Sequence, residues 1–167
     1  MEYNLVEMWL RKDPVRWIAG ALAGLFAGVV AMAVAALIAS SIGLEPVFPL
    51  KLIGTILLGP SATEIGVTGG AITGAIIFES ITLFLGVIYA HFVGSNKMSA
   101  LLPMGLVWGV FSWIFIWNLF LQSFRPIFVA RVSSSPVFLI CIVFGLALAS
   151  VKLFDRVLRG TKPAKSR

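Results

Sequence analysis

The chain has 167 residues, of which 59% are hydrophobic and only 12% charged, and its mean hydropathy is +1.02. A water-soluble domain of this size carries about twice that share of charge, so lipid is the expected solvent and a single membrane domain (1–167) the expected organisation. The net charge of +6 is concentrated near the chain ends, which suits membrane topology and anionic headgroups and argues against nucleic-acid binding, where a folded basic surface is needed.

Residues 1–12 can place Leu5, Val6, Trp9 and Leu10 on one helical face, the pattern of a short interfacial helix. Asp13 and Pro14 then supply a cap and a first-turn residue for a new helix. The first predicted span, 17–44, contains no charge. Its roughly 28 residues make about 42 Å of helix against a core of about 30 Å, which predicts tilt or extension into the headgroup layer. A cleaved signal peptide has an apolar region of only about 7–15 residues and fits poorly.

The segment 47–59 is apolar except for Lys51, with Pro49 near its start and Pro60 just beyond it. About 12 residues cannot cross a bilayer, so it is expected to be interfacial or re-entrant. Ser61 to Glu64 has the spacing of a capping box, predicting a short helical turn. The second span, 70–93, carries Glu79 near mid-depth and His91 near its far end. A polar turn, 94–100, leads to the third span, 101–121, whose second half holds Trp113, Trp117 and Phe120. A loop with Arg125 and Arg131 precedes the fourth span, 136–153, with Ser135 as expected N-cap and Pro136 in the first turn, and 154–167 is a basic tail.

The expected fold is thus an all-α integral membrane protein with four transmembrane helices, an N-terminal interfacial helix, and a short interfacial or re-entrant segment between helices 1 and 2. Ten of the 13 Lys and Arg residues fall on the side of the termini, which places both ends in the cytoplasm, with the inner (cytoplasmic) membrane of a bacterium as the expected location.

Gly20, Gly24 and Gly28 recur every four residues, beside Ala23, Ala27, Ala31 and Ala35. Such ladders let helix backbones approach closely in lipid. Gly70 with Gly74, Gly105 with Gly109, and Gly145 with Ala149 repeat the theme. Either the ladders pack one bundle, or one of them docks onto a partner subunit or a second copy.

Glu79 is the foremost chemical candidate, because an ionisable group at membrane depth is rare and expensive. It lies about 180° from Gly70 and about 140° from Gly74 around a helix, on a face continued by Leu83, Gly86 and Ala90. Asn118, Gln122 and Arg125 share one predicted stripe of the third helix, and Ser112 matches the depth of Glu79. An outer cavity joining Glu79, Ser112 and Asn118, with Gln122 and Arg125 towards its mouth, is one expectation. A neutral Glu79 hydrogen-bonded between helices is the other.

No metal site and no cofactor is expected. One His, one Cys and one deep Glu lack ligand spacing, and the single His91 cannot form a bis-His haem site within one chain. Cys141 allows no intrachain disulfide and reads as a small buried or lipid-facing residue. No GxSxG, HExxH, phosphate-loop or dinucleotide motif is present, so no enzyme is expected. The leading expectation is a non-catalytic accessory or structural subunit of a larger membrane complex. The alternatives are a small homo-oligomeric transporter or proton conductor centred on Glu79, and a lipid- or quinone-binding protein using the aromatic third helix.

Overall fold

The computed structural model describes residues 13–64, 68–121 and 133–160, without the side chains of 118–121. Among the described residues every element is helical and none is a strand. The expected interfacial helix at 1–12 lies outside them, as does the end of the basic tail.

Helix α1 is Pro14–Ser41. It starts three residues before the expected boundary because the Asp13 carboxylate accepts the Arg16 backbone N–H at 3.2 Å and Pro14 occupies the first turn. Beyond Ser41 the backbone turns through Gly43 at φ +78°, a left-handed conformation that glycine adopts without a Cβ penalty. Helix α2, Phe48–Leu58, is the short apolar segment and ends at Gly59, φ +77°. Pro60–Thr63 then forms a 3-10 turn, closed by the Glu64 N–H donating to the Ser61 carbonyl at 3.1 Å. The expected capping box makes no side-chain cap there.

Helix α3 is Thr68–Phe92 and α4 is Met98–Trp113, the latter continued by a π-helix, Ile114–Leu121. Helix α5, Ser134–Ala147, passes through a 3-10 turn, Leu148–Ser150, into α6, Val151–Gly160. Ser133, not Ser135, holds the cap position of α5 and makes no side-chain cap bond. The final helix outlasts the expected 153 by a further seven residues, because Asp155 turns inward to 1% exposure and pairs with Arg159 one turn on. Among the described residues, four stretches are long and apolar enough to cross a membrane: Pro14–Ser41, Thr68–Phe92, Met98–Trp117 and Ser134–Gly160. Together they define the class, an α-helical membrane protein.

The helices pack in the spatial order α3, α1, α5, α4. On α1, Ala19, Ala23, Ala27 and Ala31 are all 0% exposed and share the core with Phe144 and Leu148. The glycine ladder beside them meets α3. A Cβ on Gly20 would stand 2.6 Å from the Gly86 carbonyl, and one on Gly24 would stand 2.2 Å from the Thr82 carbonyl. A Cβ on Gly105 or Gly109 would press on the Gly145 or Cys141 carbonyl of α5, at 2.4 and 2.7 Å. On the far side of α3, Gly70 lies against Ala62, Gly74 against Leu50, and Gly54 of α2 against Gly70. The pairings 54 with 70 and 50 with 74 run α2 antiparallel to the first turns of α3. Each of these close approaches is between elements of the same chain, which is how small residues associate helices where no hydrophobic drive acts between them.

Candidate functional site

The best-formed polar cluster lies at the end of the bundle that carries both termini. Arg16, 7% exposed, reaches across from the first turn of α1 to the end of α3. Its Nε donates to the Ala90 carbonyl at 3.2 Å, and its Nη2 donates to the Val93 carbonyl at 2.5 Å and the Ser95 carbonyl at 3.1 Å. Its Nη1 donates to the Asn96 side-chain carbonyl. A helix ends with unsatisfied carbonyls and a partial negative charge, so a guanidinium placed there both caps and neutralises. Asn96 passes the connection on, donating through Nδ2 to Asp155 at 2.6 Å. Arg159 donates through Nε to both Asp155 oxygens at 3.0 Å, and through Nη2 to Asp13 at 2.6 Å. Asp13 closes the ring by capping Arg16. The Arg159 hydrogen bond, reinforced by that from the Arg16 backbone, holds the Asp13 carboxyl below its ordinary pKa. Five side chains thus tie α1, α3 and α6 together. Counting cations along the sequence cannot reveal this ring, since Arg16 and Asn96 are 80 positions apart.

Glu79 lies about 16 Å along α3 from Thr68, at 1.5 Å per residue. Its carboxylate sits at the α1 crossing, where a Cβ on Gly28 would come within 2.8 Å of Oε2. Thr82 Oγ1 donates to Oε2 at 3.2 Å. Gly86 and Ala90, on the expected Glu79 face, are the residues met by Gly20 and Gly24. The Glu79 face is therefore the one α1 packs on.

Ser112 belongs to a different surface. It continues the Gly105 and Gly109 stripe that packs on α5, is buried, and its hydroxyl has no hydrogen-bond partner among the described residues. Glu79 and Ser112 thus lie on faces turned to different helices. Asn118 falls in the π-helix Ile114–Leu121, whose i to i+5 bonding departs from the 3.6-residue period behind the expected stripe. Its side chain, Gln122 and Arg125 lie outside the described residues. Lys51, 3% exposed, donates to Glu45 at 2.5 Å and to the Glu64 carbonyl at 3.3 Å, tying α2 to the turns on either side of it.

An aromatic ladder climbs α4 from its junction with α3. Trp108 lies 6.1 Å from both Tyr89 and Phe92, Phe111 lies 5.7 Å from Trp108, and Phe115 stacks on Phe111 at 6.4 Å. The Tyr89 hydroxyl donates to the Leu101 carbonyl at 2.7 Å, fixing the base of the ladder. Above it, among the described residues, α3 and α4 have no extended packing on each other, unlike the other neighbouring helices, and Phe111 and Phe115 are 54% and 48% exposed. The indole N–H groups of Trp108 and Trp113 are buried and without partners among the described residues. His91 accepts from the Trp17 indole at 3.4 Å. Among the described residues no group of three or more His, Cys, Asp or Glu is gathered as a metal site. No family model, curated protein or solved structure matches the chain.

Proposed function

We propose that the protein is a non-catalytic structural subunit of a larger membrane assembly, and that a helix of another subunit covers the open edge between α3 and α4. The observation that carries this reading is the aromatic ladder Trp108, Phe111 and Phe115, which starts against α3 and continues along a side of α4 that α3 does not cover. The glycine ladders are engaged within the chain, so a partner helix would dock through other residues. The charge distribution supports termini in the cytoplasm and residence in a bacterial inner membrane.

The test is purification in mild detergent from cells expressing the chain at its native level. A complex that keeps its mass through two orthogonal columns, and that dissociates when Phe111→Ala and Phe115→Ala are combined, is expected. A free monomer throughout contradicts the proposal. The Glu79-centred transporter is a second reading, favoured by the single side-chain hydrogen bond that Thr82 supplies to a carboxyl this deep in a span. Proton or solute flux in liposomes that Glu79→Gln abolishes would establish it in place of the first.

A further inference from the structure

A groove of about 450 Å³ opens on the surface at the end of the bundle that carries both termini. This is within the roughly 300–1,000 Å³ typical of ligand sites. Its walls are apolar: Phe26 from α1, Leu102 from the start of α4, and Leu146 from α5. Each of the three is at least one third exposed, so the groove faces the lipid. Its rim is cationic. Lys152 and Arg156 line it one turn apart on α6, and neither forms an ion pair among the described residues, whereas Arg16 and Arg159 are both held in the polar ring.

These features occur in the order in which an anionic phospholipid presents its chemistry. Moving inward from Arg156, the groove offers two cations for a phosphate and then hydrocarbon for an acyl chain. We infer that this groove is a specific site for one anionic phospholipid of the leaflet on the side of the termini. Lys152 and Arg156 hold the headgroup phosphate, and an acyl chain lies along Phe26, Leu102 and Leu146. The site is separate from the α3–α4 edge and stands whether or not a partner subunit docks there.

Native mass spectrometry of the full chain in mild detergent, titrated with dioleoyl phosphatidylglycerol or dioleoyl phosphatidylcholine, tests the site. Each cation near the membrane surface contributes about fivefold in affinity, so the first bound phosphatidylglycerol should be preferred by about twenty-fivefold. Lys152→Gln with Arg156→Gln should erase that preference, while Lys152→Arg with Arg156→Lys should keep it. Leu102→Trp, which fills the groove without touching the cations, should also reduce phosphatidylglycerol binding. Inorganic phosphate at millimolar concentration should not compete, because it lacks the acyl chain. Equal binding of the two lipids, a preference that survives the Gln pair, or full displacement by inorganic phosphate would each overturn the inference.

Discussion

Replacing Asp155 by Asn tests the polar ring at its most buried point. The Asp155 carboxylate is 1% exposed and accepts from Arg159 at 3.0 Å on both oxygens and from Asn96 at 2.6 Å. An amide of the same shape keeps one acceptor and turns an NH2 donor towards either Arg159 or Asn96, both of which are donors. One charge-assisted hydrogen bond contributes about 1.5–3 kcal/mol, and breaking a fully buried ion pair costs about 3–5 kcal/mol. Arg159 is 48% exposed, so it regains water and the loss falls short of that upper range. We expect Asp155→Asn to destabilise the protein by about 2–3 kcal/mol. Reversible unfolding by sodium dodecyl sulfate from mild detergent micelles, followed by tryptophan fluorescence, measures it. Arg159→Gln leaves the buried Asp155 carboxylate without this cation and should cost at least as much, and the double variant should cost less than the two losses added, because both remove the same bond. A loss below about 0.5 kcal/mol, the range of an ordinary surface substitution, would refute the idea that the ring holds α6 to α1 and α3.

Gly86→Ala should destabilise by about 1–3 kcal/mol in the same unfolding assay despite alanine's better helix propensity, since its Cβ would stand 2.3 Å from the Gly20 carbonyl and 2.6 Å from the Gly24 Cα, both backbone. Gly69→Ala, with nothing within 4 Å of the new Cβ, should be neutral or stabilising, and equal effects at the two positions would count against the crossing geometry. Asp13 ionises more readily in the fold, chiefly through its hydrogen bond from Arg159, so its contribution is present above the unfolded pKa of about 3.9 and is lost as pH falls through the lowered folded value. Asp13→Ser keeps a capping oxygen but removes the charge, and its unfolding free energy should fall less steeply below about pH 4 than that of the parent chain. Glu79→Gln retains an acceptor for Thr82, so its stability should stay within about 0.5 kcal/mol of the parent, and a larger change would show that the carboxylate charge itself holds the α1–α3 crossing.

The four spans were legible because length and charge-free apolar composition are sufficient to define them. The ladders were legible as faces, since glycine at four-residue spacing is a property of one helix. What each ladder packs on was not, because that depends on which helices become neighbours. Gly20 and Gly24 meet Thr82, Gly86 and Ala90, some 60 to 70 positions away, and only the fold decides this. The same limit applied to Glu79. Its angular position opposite Gly70 and Gly74 was readable, while the occupant of that side, Gly28 of α1, was not. Asp155 and Arg159 were read as tail because local charge signals the end of an apolar span. Their pairing and the burial of Asp155 carry the helix on to Gly160. The stripe through Asn118 rested on a constant helical period, which the π-helix from Ile114 does not keep.

Site-specific photo-crosslinking in the native membrane addresses the proposed subunit role most directly. A photoreactive residue placed at Phe111 or Phe115, on the open α3–α4 edge, is compared with one at Leu37 or Leu57, each 71% exposed elsewhere on the surface. An adduct with one polypeptide of defined mass at Phe111 and Phe115, absent at Leu37 and Leu57, is the predicted result. Lipid adducts alone at all four positions would contradict a subunit docked on that edge.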